Sequence, residues 1–147
     1  MFPAMFARWF LKNNEAFKEK GKKFMHNAPY VLSRLAGLKA EDAFIDWGAM
    51  SGWGLGYNVY KKEWSKEQLD ILGIDISYMP KIVKPWDIIG GLTEENAAFT
   101  GLPAGTPICG GAGDYNAVDD WLWTDRSKSG SRCSRYLCDV LCIYRWN

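Results

Sequence analysis

Apolar residues at helical spacing open the chain. Trp9, Phe10, Leu11 and Phe17 fall among lysines and glutamates between residues 6 and 20, the pattern of an amphipathic helix that Gly21 ends. A second helix is predicted over Pro29 to Leu35, with Tyr30, Val31, Leu32 and Leu35 on its buried side. Gly37 then stands where a helix C-cap favours positive φ. The lone histidine, His26, lies between these helices and reads as a solvent-exposed or capping residue rather than a catalytic one.

From Ala43 to Tyr60 the pattern changes to glycine and aromatics, including Trp47, Gly48, Gly52, Trp53, Gly54 and Gly56. Each glycine costs a helix about 1 kcal/mol relative to alanine, so a loop that lets the backbone approach something closely is predicted. The glycine spacing does not make a dinucleotide fingerprint. Ser65 is an N-cap candidate, and Gln68 three residues on can complete a capping box. Leu69, Ile71 and Leu72 supply that helix's apolar face, and Gly73 ends it. Pro80, Pro85 and Ile88-Ile89 read as extended connections. Thr93 caps a further helix through Phe99 that Gly101 closes, and residues 103–107 form a turn. Ile108-Cys109-Gly110-Gly111 reads as a buried strand running toward Asp114. The picture is an α/β chain.

Composition narrows the function classes. The chain has 147 residues, 48% hydrophobic and 24% charged, which is the balance of a folded domain or part of one. A net charge of +1 argues against nucleic acid and anionic membrane surfaces as partners, since both need concentrated positive charge. No stretch approaches the roughly 18–20 apolar residues of a membrane helix. The apolar opening lacks a basic leader and a cleavage site, so the protein is expected to be cytoplasmic. Cys133, Cys138 and Cys142 crowd the C-terminal end, but their spacing fits no zinc pattern, and no metal ligands are assigned. Eight tryptophans suit either a sugar or partner contact or a core. Trp47 and Trp53, in the glycine-rich stretch, are read as core packing, with a place at the border of a cleft as the alternative.

The segment Thr106-Pro107-Ile108-Cys109-Gly110-Gly111-Ala112-Gly113-Asp114 carries the most chemistry. Its glycines let backbone pass close to a ligand, and ligands of open α/β sheets bind at the carboxyl ends of strands. A carboxylate there can take the proton of an attacking hydroxyl. A turn aspartate bonded to nearby amides is the structural alternative.

Four blocks in order resemble the FGGY family of carbohydrate kinases. Pro3 with Trp9-Phe10-Leu11-Lys12-Asn13 is similar to a family signature, although Phe6 stands where a lysine is usual. Asn27-Ala28-Pro29-Tyr30 to Leu35-Ala36-Gly37 resembles the helix that follows. Trp64-Ser65 through Leu72-Gly73-Ile74, with Met79-Pro80-Lys81-Ile82-Val83, resembles the tryptophan-led helix and the segment after it. Ile89-Gly90-Gly91-Leu92-Thr93, Ala97-Ala98, Thr100-Gly101-Leu102, Gly105-Thr106-Pro107 and Gly113-Asp114 form the fourth block. The resemblance covers residues 1–118.

It implies a ribonuclease H-like domain of the actin-like ATPase superfamily, here incomplete, forming part of the family's N-terminal, sugar-binding domain. Asp114 would be the catalytic base, deprotonating a sugar hydroxyl for attack on the γ-phosphate of ATP, with Mg²⁺ neutralising the developing charge. Tyr115, or else Asn116, would contact the substrate. The block pattern favours a xylulose-like pentulose, with ribulose, gluconate and glycerol as other substrates and a homodimer as an option for the full-length form. The family's opening phosphate loop does not precede Met1, and 33 residues follow Asp114, so the fragment is expected to be inactive alone. A non-catalytic sugar-binding or regulatory remnant is the alternative. Residues 119–147 depart from the family and show neither helical nor strand period. Read one base later, permitted codons for Asp119 to Trp123 spell Met-Ile-Gly-Ser-Gly, which suggests a frameshifted tail; a divergent basic-aromatic tail is the alternative.

Overall fold

Proline at the first helical position opens helix α1 (Pro3–Asn13), where its missing N–H costs nothing. Asn14 then leaves the helical region, and its Oδ1 accepts a hydrogen bond from Phe17 N at 2.9 Å, which starts α2 (Glu15–Lys20). The single helix expected over residues 6–20 is therefore two. The computed structural model describes residues 2–111 and 141–143. In α1 the buried positions are Pro3, Ala4 and Ala7, while Trp9 is 57% exposed. Small residues let the helix backbone approach the core closely: Ala4 N donates to Trp53 O at 3.2 Å. Phe10 and Leu11 pack partly buried against the core, and Phe17 of α2 joins it, stacked on Phe24 with ring centres 4.7 Å apart.

Strands β1 (Phe24–His26) and β2 (Phe44–Asp46) are buried throughout. Between them lies α3 (Asn27–Leu35). Gly37, at φ +66°, closes α3 as expected: Gly37 N donates to Arg34 O and Leu38 N to Ser33 O, the paired bonds of a Schellman ending. Val31, expected on the buried face of α3, is exposed, and Pro29 and Ser33 take the buried positions. After β2 come α4 (Trp47–Ser51), a hairpin of β3 (Tyr57–Asn58) and β4 (Glu63–Trp64), and α5 (Lys66–Leu72). The chain then returns as β5 (Lys81–Val83), parallel to β2 with Asp46 opposite Val83. A helical crossover between parallel strands is what such pairing requires.

Strand β6 (Ile88–Gly91), α6 (Glu94–Thr100) and β7 (Pro107–Cys109) follow, with β6 and β7 antiparallel. Residues 141–143, in the tail where no strand period was legible, form β8, antiparallel to β1. On α5 the buried residues are Leu69 and Leu72, whereas Ile71 is 75% exposed. Ile71 lies about 200° around the helix from Leu69, so the apolar face expected there is narrower by one residue. Phe99 is likewise on the outer side of α6 and Ala97 on the inner.

The main core joins Ala4, Ala7, Phe24, Ile45, Met50, Trp53 and Leu69. Gly54 and Gly56 sit at φ +99° and +97°, and a Cβ on Gly56 would lie 2.6 Å from Leu69 Cδ2. The close approach predicted for this segment is thus made to the protein's own core. Gln68 also differs from expectation. Ser65 Oγ accepts from Gln68 N at 3.4 Å, but Gln68 Oε1 accepts from Gly56 N at 2.9 Å rather than from Ser65 N. Ser65 N donates to Gly56 O at 2.8 Å, so the helix start clamps the hairpin instead of boxing itself. No helix among the described residues is long and apolar enough to cross a membrane.

Candidate functional site

Parallel strands β2 and β5 end together, and their carboxyl ends define one edge of the molecule. The register puts Asp46 opposite Val83, with Trp47 and Lys84 next along each strand. Here the chain leaving β7 arrives. Gly110 N donates to Asp87 O at 2.8 Å, and Gly111 N donates to Pro85 O at 3.0 Å. Asp87 Oδ2 in turn accepts from Lys84 N at 3.0 Å. A Cβ on Gly110 would stand 2.6 Å from Lys84 O and 2.9 Å from Val83 Cγ2. Only glycine lets the two backbones meet so closely. Gly111, at φ +88°, redirects the chain three residues before Asp114.

A cavity of about 350 Å³ opens at this edge, lined by Asn27, Val31 and Leu32 of α3 with Asp46, Gly110 and Gly111. Asp46 is its ionisable group and is 2% exposed. Its Oδ1 accepts from Gly48 N at 2.7 Å and Ala49 N at 3.1 Å, capping α4. Burial pushes the carboxyl pKa up, against the lowering effect of those two bonds and of the nearby His26 charge. His26, expected to be exposed or capping, is buried at the start of α3, where its side chain makes no cap hydrogen bond. It stacks on Trp53 with ring centres 5.8 Å apart.

The two tryptophans of the glycine-rich stretch part company. Trp53 is fully buried, as expected. Trp47 is half-buried at the edge, meeting the 66% exposed Trp86 edge-on at 5.5 Å. Lys62 Nζ lies 3.5 Å from the Trp47 ring centre, a cation–π contact. Core packing was expected for both and holds for Trp53 alone. Trp47 follows the strand's last buried residue, which turns it outward to the edge.

Asp114, Tyr115 and Asn116 lie outside the described residues, which on this side reach Gly111. Asp46 was missed in the sequence because residues 43–60 read as loop. The signal was nevertheless present, since Phe44-Ile45-Asp46 is a short apolar run ending in a carboxylate, as is the segment leading to Asp114. Among the described residues no three His, Cys, Asp or Glu groups come together to hold a metal ion.

Residues 1–118 match the model of the FGGY family of carbohydrate kinases, N-terminal domain. The chain belongs to the FGGY family of carbohydrate kinases. A glycerol kinase from Bacillus subtilis (strain 168) is 32% identical over 115 residues, covering 76% of this chain and 22% of that protein. The structure of ligand-bound xylulose kinase from Lactobacillus acidophilus superimposes with a TM-score of 0.65 at 26% identity, over 76% of this chain and 22% of that one. A xylulose kinase from Rhodospirillum rubrum shares the fold, with a TM-score of 0.67 at 24% identity, over 80% of this chain and 24% of that one. The fold is accordingly part of the ribonuclease H-like, actin-like ATPase architecture of FGGY kinases. The chain spans 22% of the length of the glycerol kinase it matches.

Proposed function

We propose that this FGGY chain carries the sugar-binding side of an ATP-dependent carbohydrate kinase. Asp114 is the base that takes the proton of a sugar hydroxyl as that oxygen attacks the γ-phosphate of ATP. Tyr115 and Asn116, just beyond it, contact the sugar. The observation that carries this reading is the family match over residues 1–118, which includes Asp114, combined with the edge geometry. Gly110 and Gly111 bring the approach to Asp114 against the carboxyl ends of β2 and β5, where α/β folds bind ligands.

A pentulose of the xylulose type is the substrate we favour; the relatives matched act on xylulose, gluconate and glycerol by their names. The low net charge of +1 supports a reading without nucleic-acid or membrane-surface partners, and a cytoplasmic location belongs to the same proposal. A homodimer belongs to the same reading of the full-length form, as do ATP and Mg²⁺ as its cofactors. We take 1–118, the span of the family match, as the domain portion, and 119–147 as an aberrant tail read in a shifted frame. The nucleotide sequence tests that boundary: absence of a kinase-like reading in another frame refutes it.

The function is tested by joining residues 1–118 to the flanking segments of a full-length relative and assaying ATP-dependent phosphorylation of pentuloses, polyols and sugar acids. Turnover on one sugar names the substrate. A folded protein with no turnover on any of them refutes the kinase reading and leaves a non-catalytic sugar-binding or regulatory remnant.

A further inference from the structure

We propose that Asp46 is a substrate-binding residue, its carboxylate accepting a hydrogen bond from one hydroxyl of the polyol held in the cavity between α3 and Gly110–Gly111. This inference rests on the sugar-kinase reading and adds to it a residue that neither motif nor family match singles out. Three observations carry it. Asp46 lines the same cavity as Gly110 and Gly111, the residues that lead in sequence to Asp114. Both N-cap bonds fall on Oδ1, and Oδ2 accepts no bond from another residue among the described ones. Asn27, on the same wall, has its Oδ1 engaged by Ala28 N at 2.8 Å, which presents its amide N–H groups as donors.

A hydroxyl seated between these groups donates to Asp46 and accepts from Asn27, so both of its hydrogen-bonding functions are used. Val31 and Leu32 beside them offer apolar surface to the C–H face of the same ligand. A capping aspartate on an exposed helix needs no burial; one that is 2% exposed beside an open cavity keeps a costly charge out of water. That cost is offset when a hydroxyl supplies a charge-assisted bond, which is shorter and stronger than a neutral one. A site built this way rejects an analogue lacking that hydroxyl far more strongly than a merely apolar pocket does.

The test uses the whole chain. Sugars and polyols are titrated against it by ligand-observed NMR, and the best binder is compared with its monodeoxy analogues. Asp46→Asn and Asp46→Ser both retain good N-caps, so helix α4 is preserved in each. The expected result is that the wild type discriminates against one monodeoxy analogue. Both variants should bind the parent sugar about ten- to a hundred-fold more weakly, the loss of one hydrogen bond to a charged group, and lose that discrimination. Unchanged affinity and discrimination in folded variants would overturn the assignment, as would a folded wild-type chain that binds no sugar. The kinase reading is separable. If sugar binding and phosphoryl transfer persist unaltered in an Asp46→Asn joined protein while Asp114→Asn abolishes transfer, Asp46 falls and the kinase reading stands.

Discussion

Replacing Gln68 with methionine keeps the side chain's length and removes its acceptor. In the structure that acceptor holds Gly56 N at 2.9 Å, and Gly56 is buried. The substitution loses one partly buried hydrogen bond and leaves the N–H of a buried glycine without its acceptor, together about 1–3 kcal/mol. Helix propensity does not offset this, because glutamine and methionine differ by only a few tenths of a kcal/mol. With a urea slope of about 2 kcal/mol/M, the midpoint should fall by about 0.5–1.5 M. Gln68→Glu keeps an acceptor and should unfold near the wild-type midpoint at neutral pH. A capping box would give a different signature, because Gln68 would then serve Ser65 N, and that group already donates to Gly56 O at 2.8 Å. Hydrogen exchange separates the two: Gly56 N–H should lose protection in Gln68→Met. A midpoint shift below about 0.3 M, or unchanged exchange at Gly56, would refute the clamp.

Asp46 gives a prediction whose sign follows from its raised pKa. The native state holds this proton more tightly than the unfolded chain, so stability falls as pH rises from the ordinary value of 3.8 through the raised one. Asp46→Asn keeps the cap without the buried charge, and its stability advantage over the wild type should grow between acid and neutral pH; urea midpoints that diverge the other way contradict this. Gly110→Ala drives a methyl to 2.6 Å from Lys84 O and should cost about 1–3 kcal/mol, read as a lower urea midpoint. Trp53→Ala empties a fully buried site and should cost about 3–5 kcal/mol, enough to lower the thermal midpoint by several degrees in a scanning experiment.

Local signals were legible where one residue decides a local geometry. Gly37, Gly73 and Gly101 all take positive φ at helix ends, and Ser65 and Thr93 cap as read. Which side of a helix faces inward was less legible. Trp9, Val31, Ile71 and Phe99 are apolar yet exposed, because close backbone packing gave the inner positions to Ala4, Ala7, Ser33 and Ala97 instead. The glycine-rich stretch misled for a related reason. Its glycines fit against Phe2 and Leu69, contacts that no local pattern announces, and a short strand and helix survive between them. Asp46 escaped for the same cause, since its significance depends on Gly110, 64 positions away, meeting it across a cavity. The strand leading toward Asp114 was readable because it is contiguous with its glycines, but it was expected buried over residues 108–111; β7 is Pro107–Cys109 with Ile108 alone buried, and Gly110 and Gly111 follow it as close-packed connection.

The central claim is that Asp114 is the base of a sugar kinase. It is tested most directly by comparing Asp114 and Asp114→Asn forms of the joined protein for both sugar binding and ATP-dependent phosphoryl transfer. Loss of a general base predicts a fall in kcat of about 10²–10⁴-fold, with sugar affinity within a few-fold of the parent. Transfer that persists undiminished in the Asp114→Asn form would contradict the claim.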